Sequence, residues 1–200
     1  MESLHDKVYS ASVVEFVTVA KEFLLFLTTS AKISREEFVG KLQKFIPLIY
    51  LKGTMLPVID SDEEGMCEDA VTEDEYNTLF ALIKSKMGEY DDYLEIFDDV
   101  DGFHEEPVVH TISEKISDIY QDLKNFVHSY KSGVDAVMGE AIWNLNNNFD
   151  LYWGKACAEV LRAIHLAKCN SMAFDSSSDD SDDEYGFDEL EEEYGIEEEY

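Results

Sequence analysis

The sequence predicts an all-α protein: a single bundle of five or six helices, followed by a disordered acidic C-terminal tail. Only three prolines occur in 200 residues, and apolar residues recur at helical spacing through most of 8–168. Residues 175–200 contain fourteen Asp or Glu and no Lys or Arg, a density of like charge that cannot be packed into a core. We therefore divide the chain into a helical domain, 1–174, and a tail, 175–200.

The starts and ends of the helices are marked by short local patterns. The first predicted helix covers 8–29, and Pro47 should kink or split the second. Gly88 and Gly133 indicate the ends of the third and fourth helices. Three start signals have the capping-box pattern, a Ser or Thr followed three residues later by Glu: Ser34 with Glu37, Thr72 with Glu75, and Thr111 with Glu114.

Two stretches are less regular. Residues 90–107 are expected to form a short helix and a loop, and Val108–Val109 is too short to predict a strand. A fifth helix covers 134–168, in two pieces if the polar tract 144–148 interrupts it, because Asn side chains compete for backbone hydrogen bonds.

The charge limits the classes of partner. The chain carries 45 acidic and 15 basic residues, for a net charge of −30. Without the tail, 31 acids still face 15 bases. Such a charge repels phosphate backbones and anionic membranes, so we expect no direct nucleic-acid or membrane binding. A basic protein is the expected partner.

Neither cysteine nor histidine usage indicates a cofactor. The three cysteines form no CxxC pair and the five histidines are scattered, which disfavours zinc. The acidic turns at 60–71 and 97–108 each lack ligand positions of a calcium loop. We therefore expect no metal and no cofactor. A sparse, odd number of thiols and the lack of a signal-peptide pattern favour the cytoplasm.

One polar set on the last two helices could form a site. Asp118 and Asp122 are four residues apart and share a helix face, as do Arg162 and His165 at a spacing of three. If these helices pack antiparallel, Asp122 could pair with Arg162, and His165 could complete the network. This network is either a structural ion pair or a ligand pocket, whose aromatic lining would be Tyr120, Trp143 and Trp153.

Several segments resemble a known family. The run Phe149-Asp150-Leu151-Tyr152-Trp153-Gly154, followed by Leu161-Arg162-Ala163-Ile164-His165, is similar to the signature of small acidic bacterial proteins known only as a domain of unknown function. The resemblance covers about residues 10–168. It implies a helical cytoplasmic protein and no particular activity.

Three functions remain open from the sequence. The leading hypothesis is a non-catalytic interaction or adaptor protein. Its tail would contact the basic partner through carboxylates and apolar anchors: Tyr185, Phe187, Leu190, Tyr194 and Ile196. The alternatives are an acidic DNA mimic, and an enzyme or small-ligand binder that uses the Asp/Arg/His set. No catalytic motif is present, which favours the non-enzymatic hypotheses.

Overall fold

A computed structural model describes residues 3–60, 67–95 and 108–177. The chain divides into two units, Met1–Lys168 and Cys169–Tyr200. Of the second unit the structure describes only 169–177, which are helical. The predicted tail, 175–200, therefore lies almost wholly outside the described residues. Its disorder and its boundary stay predictions.

The described chain is built from helices and one two-stranded sheet. Two 3-10 turns lie at Ser30–Lys32 and Gly88–Tyr90. A π-helical turn, Phe149–Trp153, joins the last two helices without a break. The elements are α1 Leu4–Val8, α2 Ala11–Thr29, α3 Arg35–Gly53, α4 Glu73–Met87, β1 Asp92–Glu95, β2 Val108–Thr111, α5 Ile112–Tyr130, α6 Asp135–Asn148 and α7 Gly154–Ser177.

The all-α prediction is confirmed. Besides the short α1, the described residues form five long helical segments, with α6, the π-helical turn and α7 counted as one. Helix α5 packs chiefly between α4 and α6, and α2 packs on α3 and α5. Their apolar faces bury one common core in the first unit, whose largest fully buried side chains include Trp153, Tyr120, Phe16, Phe23 and Phe38.

The three predicted helix starts are correct, but only half of each capping box forms. The Ser34, Thr72 and Thr111 hydroxyls accept the backbone N–H three residues on, at 3.1, 3.3 and 3.2 Å. This satisfies one of the free donors at each helix start. Two of the Glu side chains bond elsewhere: Glu37 pairs with Lys41, and Glu75 binds Lys124.

Two predictions about helix boundaries need correction. The first predicted helix, 8–29, corresponds to α2 but begins three residues too early, because Val8 closes a separate short α1 that Ser3 caps through a capping box with Asp6. Pro47 does not split α3, which runs unbroken from Arg35 to Gly53. Buried Ile46 and Ile49 hold the flanking turns in the core, and this packing outweighs the lost backbone hydrogen bond.

The segment after α4 is also different from the prediction, which had a short helix. Strand β1 pairs antiparallel with β2, and Leu94 lies opposite Val109. The buried Asp91 anchors this hairpin to α5, because its carboxylate accepts the Ser113 N–H at 2.8 Å and the Ser113 hydroxyl at 2.7 Å. A carboxylate at a helix N-terminus also interacts favourably with the helix dipole.

Candidate functional site

A polar cleft opens between α5 and α6 and is bordered at one end by residues 67–69. It has a volume of about 250 Å³ and is partly open to solvent. Eleven of the described residues line it: Cys67, Glu68, Asp69, Asp122, Asn125, Phe126, Ser129, Ala141, Asn144, Leu145 and Asn148. Three of them are acids and three are asparagines, and no Lys or Arg is among them.

Asp122 is the central acid of this cleft. Its Oδ1 accepts a hydrogen bond from Asn148 Nδ2 at 2.9 Å. Burial raises the pKa of the Asp122 carboxyl to about 6; the Asn148 hydrogen bond opposes this rise, and the neighbouring Asp118 charge adds to it. Within the described residues, Asp122 is thus a half-buried acid whose hydrogen-bond partner is an amide and not a cation.

Asn125 fixes the acidic loop at the edge of the cleft. Its Oδ1 accepts the Ala70 N–H at 2.8 Å, and its Nδ2 donates to Asp69 Oδ1 at 3.1 Å. One side chain of α5 therefore holds both the backbone and an acid of the loop. These two hydrogen bonds hold the loop whose residues Glu68 and Asp69 line the cleft.

Cys67 contributes a neutral thiol. Burial raises the pKa of this thiol; hydrogen bonds with Ser129 and Asn144 oppose the rise, and the Glu140 charge adds to it. The Sγ atom lies 3.8 Å from the Val137 carbonyl, to which it donates. A thiol whose pKa is raised in this way is a poor nucleophile and a poor metal ligand at neutral pH.

The predicted polar set is only partly brought together. Asp122 lies in the cleft, whereas Asp118 is exposed and accepts a hydrogen bond from the Tyr76 hydroxyl at 2.7 Å. Buried Tyr120 donates to Glu75 Oε1 at 2.5 Å, on the side of α5 that faces α4. Tyr120 is therefore not part of the cleft lining.

The proposed pairing of Asp122 with Arg162 was wrong. Arg162 is exposed and donates to the Leu94 carbonyl at 3.4 Å, and His165 is also exposed. The antiparallel packing on which that pairing depended is present, since Lys115 near the start of α5 lies 3.9 Å from Glu159 of α7, while Asp122 later in α5 contacts the earlier α6. Asp122, however, meets Asn148, fourteen residues before Arg162, a displacement of about 21 Å along a helix.

The two tryptophans have different surroundings. Trp143 is half-buried on α6 and does not line the cleft. Trp153 is 1 % exposed, and its indole Nε1 donates to the Leu145 carbonyl at 3.0 Å. Because Leu145 also lines the cleft, Trp153 holds the backbone of one cleft wall.

Around Trp153 lies an aromatic seam, which we define as Gly53, Phe149, Trp153 and Gly154. The rings of Phe149 and Trp153 meet edge to face, with centroids 4.5 Å apart. A Cβ on Gly53 would lie 2.6 Å from Trp153 Cη2. Gly53 thus permits the close approach of α3 to the π-helical turn.

Gly154 has a more local role. Its N–H donates to the Phe149 carbonyl five residues earlier, which closes the π-helical turn. A Cβ at this position would lie 2.5 Å from the same carbonyl oxygen. Turns of this kind are rare and frequently lie at functional sites.

Most cleft residues were missed at the level of sequence. Asn144 and Asn148 had been interpreted only as a poor helix interior. Their spacing of four, and that of Asn125 and Ser129, places each pair on one helix face. These spacings could have indicated a polar stripe on each helix, although not that the two stripes meet.

Three further topics lie outside the cleft: the tail contacts, metal binding and membrane-spanning helices. The tail contacts Tyr185, Phe187, Leu190, Tyr194 and Ile196 lie outside the described residues. Within the described part, no three His, Cys, Asp or Glu side chains group so as to hold a metal ion. In that same part, no helix combines the length and the apolar character needed to cross a membrane.

These features define a small helical domain with an acidic cleft. Residues 7–170 match the model of DUF5063, a domain of unknown function. The chain belongs to this family. It is also similar to a crystal structure of protein BF1032 from Bacteroides fragilis, with 36% sequence identity and a TM-score of 0.70. That match covers 79% of this chain and 92% of the other. No curated protein matches the chain.

Proposed function

We propose that this protein is a non-catalytic interaction protein that binds a basic partner protein. One observation supports the proposal: most of the basic side chains are bonded within the protein itself. Of fifteen Lys and Arg, ten make a hydrogen bond or ion pair inside the first unit: Lys7, Arg35, Lys41, Lys52, Lys86, Lys115, Lys124, Lys155, Arg162 and Lys168.

These bonds are of two kinds. Some cations hold backbone carbonyls, as Lys7 does at Val58 over 2.9 Å. Others pair with carboxylates, as Lys52 does with Glu15 at 2.6 Å. In both cases the cation is bonded within the protein, and carboxylates outnumber the cations. The field around such a protein attracts positively charged partners and accelerates their association, most strongly at low salt.

The chemistry of the cleft agrees with a binding role. Its thiol is held neutral, and its central carboxyl, Asp122, contacts an amide. The acidic tail would extend the negative surface, and its aromatic residues would anchor the partner.

DNA mimicry is not favoured by the described surface. Lysines lie on α2, α3, α4, α5 and α7, so positive charge is interspersed with negative on most helices. A mimic needs an uninterrupted row of carboxylates at phosphate-like spacing. We therefore retain the protein partner as the proposed function.

The test is affinity capture from nuclease-treated lysate of the source cells, followed by reconstitution with the purified partner. The full chain is compared with a 1–177 truncation, which keeps the whole of α7, and with an unrelated protein of similar negative charge. We expect a basic partner that the unrelated protein does not capture and whose affinity falls as salt rises. A neutral partner, or binding insensitive to salt, would contradict the proposal.

A further inference from the structure

We propose that the cleft between α5 and α6 binds a primary alkylammonium group, the charged end of a lysine side chain on the basic partner. This inference rests on the proposed function and assigns its contact site. Three properties of the cleft carry it: its size, its buried apolar lining, and a carboxylate that forms no ion pair with any described residue.

The size of the cleft suits one side chain. Its volume is about 250 Å³, below the roughly 300–1,000 Å³ of pockets that enclose drug-sized ligands. Phe126, Ala141 and Leu145 line it and are buried. These groups would contact the four-carbon stem of a lysine, which packs readily along apolar surface.

The polar groups suit an ammonium head. The carboxylate of Asp122 is half-buried, and its bond in the described chain comes from the Asn148 amide. A carboxylate removed from water without a cation is costly, and a bound ammonium would relieve that cost. Ser129 and Asn144 also line the cleft, and each carries a side-chain oxygen of the kind that accepts from an ammonium. An ammonium has three donors for such a set.

Other cations fit less well. A guanidinium binds best through two parallel bonds to both oxygens of a carboxylate, and Asp122 Oδ1 already accepts the Asn148 amide. A divalent metal needs several converging anionic ligands. The described side chains provide no such group.

The first experiment is a titration of the purified full chain with n-butylammonium chloride, followed by NMR of the Asn side-chain amides. n-Butanol, which has nearly the same shape without the charge, is the control ligand. We expect saturable shifts at Asn144 and Asn148 with the ammonium only. Equal binding of the alcohol would overturn the proposal, because it would leave only an apolar groove.

The second experiment tests the carboxylate. Asp122→Asn keeps an oxygen that can accept the Asn148 bond but removes the charge, and we expect the affinity to fall by about tenfold or more. Asp150→Asn is the matched control, since it removes the same charge from an exposed residue of the π-helical turn. Equal losses in both variants would show general electrostatic attraction and would overturn the site.

The third experiment separates a partner lysine from a free amine. A short peptide with one central lysine is compared with the same peptide carrying Nε-acetyllysine. We expect binding of the lysine peptide, loss of binding on acetylation, and competition with n-butylammonium. Binding of the free amine with exclusion of the peptide would overturn the partner-lysine assignment.

The captured partner distinguishes failure of this inference from failure of the proposed function. If the partner binds wild type and Asp122→Asn equally, the cleft assignment is wrong while the interaction role stands. If no basic partner is captured although the cleft binds n-butylammonium, the interaction role is wrong and the partner-lysine assignment fails with it.

Discussion

The aromatic seam and the acidic cleft adjoin at the C-terminal end of α6, where Asn148 of the cleft directly precedes Phe149 of the seam. The two regions are nevertheless packed in opposite ways. In the seam, Gly53 and Gly154 leave space that large rings fill, and no Cβ would fit at either glycine without displacement. In the cleft, about 250 Å³ is left open between polar side chains. The seam is fully packed, whereas the cleft keeps open volume with room for a ligand.

The difference shows how a rigid region can support an open one. Leu145 connects the two regions, because it lines the cleft and its carbonyl accepts the indole N–H of Trp153 in the seam. Asn148, which bonds Asp122, immediately precedes the π-helical turn. The seam therefore fixes the backbone from which the cleft residues project, and binding sites benefit from such support.

The largest expected effect comes from breaking the seam. Trp153→Ala removes a fully buried ring and the indole bond to Leu145, so we expect the free energy of unfolding to fall by about 3–5 kcal/mol. Trp143→Ala, on the same continuous helix but half-buried, is the control and should cost clearly less. Chemical denaturation of both variants measures the difference. Similar losses would mean that the seam is not the more tightly packed region.

A second, smaller effect comes from the cleft and depends on pH. The pKa of Asp122 is about 6 in the folded protein, against an ordinary value of 3.8. Because the folded state holds this proton more tightly, its stability falls as pH rises from about 4 to about 6, and the full cost persists above that range. Asp122→Asn cannot ionise, so we expect it to be more stable than wild type at pH 8, by on the order of 2 kcal/mol.

Denaturation at pH 8 and at pH 4 measures this effect, and the advantage of Asp122→Asn should nearly disappear at pH 4. Asp150→Asn again corrects for the change in net charge, since Asp150 is exposed. A wild-type protein that is more stable than Asp122→Asn at pH 8 would show that the carboxylate is already neutralised. It would also weaken the case for a bound ammonium.

Much of the fold could be predicted because the signals are local. The hydroxyls of Ser34, Thr72 and Thr111 act within three residues, and they marked three helix starts correctly. The β1–β2 pairing could not be predicted in this way, because Leu94 and Val109 are joined only through the tertiary structure. The same holds for Asp91, whose partner Ser113 lies 22 residues away.

The site was harder to predict, for a related reason. The position of Asp122 on its helix indicated that it faces another helix. Which residue it contacts there depends on the register between the two helices. A second contact of this kind is that of Gly53 with Trp153, which fixes where α3 meets the π-helical turn. The positions of a tryptophan and a glycine in the sequence do not reveal that the two residues are in contact. Asp122 was therefore identified as a candidate, and Asn148 was not identified as its partner.

The smallest effect distinguishes the seam from an ordinary helix surface. Gly40 and Gly53 both lie in α3, but a Cβ at Gly40 meets nothing within 4 Å, whereas one at Gly53 lies 2.6 Å from Trp153. Alanine favours a helix over glycine by about 1 kcal/mol, so Gly40→Ala should stabilise the protein by up to that amount. At Gly53 the crowding of a ring that cannot move outweighs this gain, and we expect a net loss of about 1 kcal/mol. Thermal unfolding of the two variants should shift in opposite directions, and a shift in the same direction would show that Trp153 has room to move.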